Sequence, residues 1–172
     1  MVLAAGLCAN CGLCCDGSLF GTVEIVEEDA DRMHELGVVL TPCEDDNYDF
    51  DQPCPMLKGT RCTIYAQRPE TCSDFRCTTL RELDAGEVSL NVAQDRVATV
   101  RAMFADLQKH DPRSYQQLRA QWTDDRLAGA DAMATALLNL GIESINRYLD
   151  RHFRRGEERV YADPDDLEIS RR

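Results

Sequence analysis

Two periodicities divide the chain. Thr22, Val23, Glu24, Ile25 and Val26 alternate polar and apolar, which predicts a short strand. Glu27 to Leu36 reads as a helix closed by Gly37, and Val38, Val39 and Leu40 as another short strand. Lys58, Gly59 and Thr60 form a turn signal between two short apolar pieces, predicting a tight hairpin. Pro69 is suited to the first position of a short helix. From Ser89 onward the period becomes helical. Val92, Val97, Val100, Phe104 and Leu107 trace one face of a helix that Ser89 can cap and that stops before Asp111 and Pro112. A second helix is expected over about 113 to 121, with Trp122 near its end. A third covers Asp124 to Leu140. A fourth runs from Ile142 to Phe153 after a break at Gly141, burying Ile142, Ile145, Leu149 and Phe153. From Gly156 the chain reads as extended or frayed. The expected fold is α+β, mostly α: a small irregular cysteine-rich region with short strands over residues 1–85, a helical region packed on it over 86–156, and an acidic tail over 157–172.

Composition narrows the function. A chain of 172 residues makes one domain, at most one and a half. Its net charge is −12, and its Lys and Arg are scattered apart from Arg151, Arg154 and Arg155. Phosphate binding needs a basic face, so nucleic acid is excluded as the main partner. No apolar run approaches the ~18 residues that a bilayer requires, so no membrane span is expected. The opening stretch to Cys8 lacks a positive region, and bulky Leu7 precedes the cysteine, so it does not read as a lipoprotein signal. A cytoplasmic protein is expected. The acidic stretch Glu44 to Asp51 lacks the glycine and terminal Glu of an EF-hand and reads as a solvated loop.

The chemistry lies in the cysteines. Cys8, Cys11, Cys14, Cys15, Cys43, Cys54, Cys62, Cys72 and Cys77 all fall in the first 77 residues, and the last 95 contain none. An odd number of thiols in a reducing compartment points to metal rather than to a disulfide framework. Cys8, Cys11 and Cys14 form a chelating run whose two intervening residues at each step let a turn point both sulfurs at one ion or cluster, and it resembles the bacterial ferredoxin pattern; Pro55 after Cys54 adds a weaker echo. Adjacent Cys14 and Cys15 point to opposite faces of an extended backbone, so they serve two centres, or one of them has another role. Cys54 and Cys62 flank the hairpin and can approach one another across it. Cys72 and Cys77 lie on or near one short helix; their spacing of five implies a helix boundary between them or ligation of different centres.

Taken together, Cys8-x-x-Cys11-Gly12-x-Cys14-Cys15, Cys54-Pro55-x-Leu57, Cys62-x-Ile64-Tyr65, Arg68-Pro69-x-x-Cys72 and Phe75 resemble the CxxCxxCC family, bacterial proteins described as zinc- or iron-chelating domains. The resemblance covers roughly residues 7 to 80. It implies that Cys8, Cys11, Cys14, Cys15, Cys54, Cys62, Cys72 and Cys77 form the metal site, with Cys43 outside the pattern. A related motif in flagellin lysine methylases implies an iron–sulfur cluster. Gly12 would let the backbone pass close to a centre. Arg68 would offset thiolate charge or bond a neighbouring carbonyl, and Tyr65 would shield the site together with Phe75.

Three functions compete on this reading. An iron–sulfur protein, redox-active or accessory to group transfer, suits all-sulfur ligation. A zinc-stabilised structural module suits a small cysteine-rich region that needs a staple. Metal delivery or thiol redox chemistry would use the thiols left over from a four-ligand site. The partner is a protein or a small-molecule substrate, with no membrane and no nucleic acid. His34, His110 and His152 read as surface residues. No hydrolase triad, phosphate loop or dinucleotide fingerprint is present, so no catalytic residue is assigned.

Overall fold

The alternation at Thr22–Ile25 becomes strand β1 of a three-stranded antiparallel sheet in the computed structural model, which describes residues 2–122, 131–156 and 160–161. Its central strand is β3, Tyr48–Asp51, flanked by β1 and by the two-residue β2, Thr41–Pro42. Glu24 pairs with Asp49, and Thr41 also pairs with Asp49. The acidic stretch is therefore not simply a solvated loop. Phe50 lies on the buried face of β3 and supplies the apolar anchor that its acidic neighbours conceal in the sequence. The strand expected at Val38 to Leu40 is absent: Val38 is buried, Val39 is exposed, and pairing begins only at Thr41.

Helix α2, Glu27–Glu35, lies against this sheet through Met33. Ile25, Met33, Val38 and Phe50 form its core, with Cys54, Met56 and Ile64 packed at the edge. An N-terminal helix α1, Val2–Cys11, precedes the sheet and was not anticipated. The expected hairpin is present as β4, Leu57–Lys58, and β5, Arg61–Cys62. Helix α3, Glu70–Asp74, follows, with Pro69 as its N-cap rather than its first residue. Helix α4 is Thr78–Asp84 and α5 is Leu90–Leu107.

The chain divides into two compact units. The first comprises Met1–Arg76 with Leu80–Ala93, and the second comprises Cys77–Thr79 with the chain from Gln94 onward. Among the described residues, 55% are helical and 10% are strand, with seven α-helices, so the fold is α+β, mostly α.

The buried face of α5 runs through Ala93, Val100, Phe104 and Leu107, with Val97 half-buried. Val92, expected on this face, is exposed; Ala93 keeps the alternating four-and-three step. Ser89 caps as expected, its hydroxyl accepting the Val92 N–H at 3.3 Å. Helix α6, Tyr115–Gln121, starts from a reciprocal capping box between Ser114 and Gln117. Helix α7 runs unbroken over Ala132–His152, so no break occurs at Gly141. A Cβ at Gly141 would lie 2.9 Å from Leu107 Cδ1, so this glycine lets α7 approach α5 closely. The expected helix start at Asp124 lies outside the described residues.

Ile142, Ile145, Leu149 and Phe153 are buried as the pattern predicts. Beside them sits a buried polar network. Fully buried Arg154 donates to Asn146 Oδ1 at 3.0 Å, to Asp150 Oδ1 at 2.9 Å and to the Tyr115 hydroxyl at 3.0 Å. The backbone N–H groups of Val160 and Tyr161 both donate to Asp150 Oδ2, which anchors part of the segment expected to fray. Removing one member of a buried ion pair strands the other charge at a cost of about 3 to 5 kcal/mol. Arg154→Ala should therefore lower the urea midpoint of the full chain by a corresponding amount, read by circular dichroism. A loss below about 1 kcal/mol would show that water reaches Asp150 and that the network is not what holds this unit.

Candidate metal centre

Cys8 and Cys11 lie on α1, three residues apart and so on one helix face. The first spacing is thus helical rather than a turn. The turn comes next. Gly12 takes φ +74°, ending the helix, and its carbonyl accepts N–H bonds from Cys15 at 3.0 Å and Asp16 at 2.9 Å. Cys14 and Cys15 stand in that turn. A Cβ on Gly12 would lie 2.8 Å from the Thr60 carbonyl oxygen, so the tip of the β4–β5 hairpin rests directly on it. This contact seats β5, and Cys62 with it, against α1. Cys54 is held on the same side: its N–H donates to the Cys15 carbonyl at 2.8 Å.

Cys72 arrives on α3, which neighbouring Arg68 and distant Asp29 fix. The Arg68 guanidinium donates to the carbonyls of Tyr65 at 2.6 Å and Cys72 at 3.1 Å, and stacks 3.9 Å from the centroid of the Tyr65 ring. Asp29, buried on α2 and paired with Arg32, accepts the Glu70 N–H at 2.7 Å and so holds the start of α3. The Tyr65 hydroxyl hydrogen-bonds Cys8. Phe75 meets Phe20 edge-on, with ring centroids 4.8 Å apart.

The thiols influence one another. The Cys15 thiol donates to Cys62, which together with burial and the neighbouring Cys14, Cys62 and Cys54 pushes Cys15 strongly up. Cys62, accepting that bond and one from the Ile64 backbone and facing Arg68, falls to about 6. Burial raises Cys72 to about 11, with Cys54 and Cys62 adding to the rise. Burial and Cys62 also raise Cys54 against a bond from the Met56 backbone. Five sulfurs, those of Cys14, Cys15, Cys54, Cys62 and Cys72, thus influence one another, and the Arg68 guanidinium acts on two of them. A thiophilic cation relieves the repulsion between neighbouring thiolates by favouring each of them, so this donor set fits zinc, iron or an iron–sulfur cluster.

Of the cysteines singled out in the sequence, the first unit holds Cys8, Cys11, Cys14, Cys15, Cys54, Cys62 and Cys72. Cys77 falls in the second unit, immediately before α4, so a helix boundary separates it from Cys72. Cys43 directly follows β2, outside the strands. Among the described residues it forms, with Glu24 and Asp49, a trio whose ligand atoms all lie within 4.8 Å of one another. Asn47 donates to Glu24 at 2.7 Å.

Sequence reasoning missed Asp29 and Thr60. Asp29 is masked as one of three acidic residues in the first turn of α2, and Thr60 acts only through its backbone. The sole advance signal for either was Gly12.

Residues 7–102 match the model of a family named CxxCxxCC and described as "Putative zinc- or iron-chelating domain". No curated protein and no solved structure matches the chain.

Two outcomes check this geometry. Gly12→Ala places a side chain at positive φ and against the Thr60 carbonyl, so it should destabilise the metal-free protein by about 1 to 3 kcal/mol; an unchanged thermal midpoint would refute the close approach. In the metal-free protein Cys62 should be alkylated first by iodoacetamide at pH 7. Its lowered pKa means that the thiolate is present above about pH 6, so its rate should climb through that value and level off, while Cys72 should still be accelerating at pH 9. Equal rates for the two at pH 7 would contradict the hydrogen-bond assignment.

Proposed function

The chain belongs to the CxxCxxCC family of zinc- or iron-chelating domains, and from that premise we propose that its first unit holds an iron–sulfur cluster through cysteine thiolates. The observation that carries this reading is the mutual influence of sulfurs from separate pieces of chain: Cys14 and Cys15 in the turn after Gly12, Cys54 and Cys62 flanking the β4–β5 hairpin, and Cys72 on α3, with α1 lying against β5. The ligands are drawn from Cys8, Cys11, Cys14, Cys15, Cys54, Cys62 and Cys72. The eighth, Cys77, rests on the family pattern alone.

Two features favour a cluster over a single zinc ion. Seven thiols exceed one closed tetrahedron. Four thiolates on one zinc at bonds of about 2.3 Å sit about 3.8 Å apart. Among the described residues, no three of these sulfurs lie within 4.8 Å of one another. A wider set suits a cluster, whose irons are each held through cysteine thiolates. Such a cluster, when bound, takes up and returns single electrons. Tyr65 and Arg68 then act on its ligands. The Tyr65 hydroxyl meets Cys8, and Arg68 places positive charge beside Cys62 and Cys72.

The protein so read is a redox or group-transfer accessory of the cytoplasm, where its thiols stay reduced. Its partner is a protein or a small molecule, since a net charge of −12 opposes nucleic acid. No helix among the described residues is long and apolar enough to cross a membrane.

Protein produced with iron supplied and purified without air should be brown, contain iron and sulfide, and lose visible absorption on reduction. Cys11→Ser and Cys62→Ser should lose the metal and loosen the first unit, whereas Cys43→Ser should keep it. A colourless protein carrying one zinc per chain would replace the cluster with a zinc-stabilised structural module. Full metal retention in Cys11→Ser would mean that the ligand set is wrong.

A further inference from the structure

Cys15 and Cys62, one from each sequence cluster, are hydrogen-bonded to one another. The sulfur of Cys15 donates directly to that of Cys62. Their contact does not depend on flexible side chains alone. The Cys15 carbonyl is tied to the Cys54 N–H at 2.8 Å, Cys62 pairs with Leu57 in the hairpin, and the hairpin tip rests on Gly12. Cys14 adjoins Cys15 in the chain, and Cys8 is engaged by the Tyr65 hydroxyl.

We propose that Cys15 and Cys62 form a redox latch: oxidation of the metal-free protein joins them in a disulfide that closes the site to metal. The oxidant is a peroxide. One thiol is oxidised to a sulfenic acid with release of one water. The other thiol then displaces the hydroxyl as a second water, and the S–S bond forms. Two thiols and one peroxide thus give one disulfide and two waters. A dithiol reverses the step by exchange, restoring both thiols and becoming a disulfide itself.

Closing the latch removes two donors, one from each sequence cluster, and so blocks ligation from both sides. It also closes a loop of 46 intervening residues, which constrains the unfolded chain and keeps the empty unit folded until it is reduced. The consequence for loading rests on the metal-binding reading above; the identity of the oxidised pair does not.

The test uses the full chain, metal-free and reduced, treated with one equivalent of hydrogen peroxide. Non-reducing peptide mapping should find Cys15 joined to Cys62 as the dominant cross-link. Iron or zinc uptake should slow at least tenfold in the oxidised protein and recover with dithiothreitol. Cys15→Ser should abolish the dominant cross-link, and Cys43→Ser should leave it intact. Because the map is made on the unaltered protein, a variant that fails to fold does not decide the matter. Cross-links scattered over several pairs, or undiminished metal uptake after oxidation, would overturn the latch while leaving metal binding intact. If the reduced protein takes up no metal at all, the metal-binding reading falls and the gating role with it, while the map still judges the pairing.

Discussion

The first unit depends on one close approach of backbone to backbone. The tip of the β4–β5 hairpin can lie against the end of α1 only because residue 12 has no side chain; a Cβ there would meet the Thr60 carbonyl at 2.8 Å. The same glycine ends the helix by taking a left-handed conformation, so one position both stops α1 and receives the hairpin. Its consequence is chemical. Cys15, three residues after Gly12, reaches Cys62 on a strand about fifty residues away.

Around that approach, charge is arranged to hold chain rather than to decorate a surface. Arg68 spends its donors on the carbonyls of Tyr65 and Cys72, bracing the short helix that carries a thiol. Asp29 secures the other end of that helix through the Glu70 N–H. A helix of five residues has little stability of its own, so both contacts matter more than their individual strength suggests. The arginine also lies close enough to favour the thiolate of Cys62, while burial disfavours that of Cys72. The result is a set of sulfurs with widely separated acidities inside one small region.

The second unit follows another logic. Its α5, α6 and α7 bury regular apolar faces, and Phe104 stacks on Tyr115 with ring centroids 4.8 Å apart. Arg154, fully buried, stands in this interior with buried Asn146 and Asp150. A fully buried guanidinium is tolerated because Asp150, Asn146 and Tyr115 meet it. Asp150 in turn draws in the backbone at Val160 and Tyr161, so the network secures a segment that has no apolar pattern of its own.

By itself the sequence determined whatever depends on local order. The cysteine spacing marked two clusters and the family. The Gly59 turn marked the hairpin, and the faces ending in Leu107 and Phe153 marked the helices, because side-chain period and turn chemistry are properties of neighbouring residues. Tertiary structure decided the rest. Gly141 reads as a break but lies inside α7, where its small size serves contact with Leu107. The acidic run holds a central strand because Phe50 has a core to enter. Asp29 serves a helix that starts 41 residues later in the chain. Which thiol touches which was also beyond the sequence, since contact between Cys15 and Cys62 is set by the docking of a hairpin on a glycine, and no local pattern records where a distant strand will come to rest.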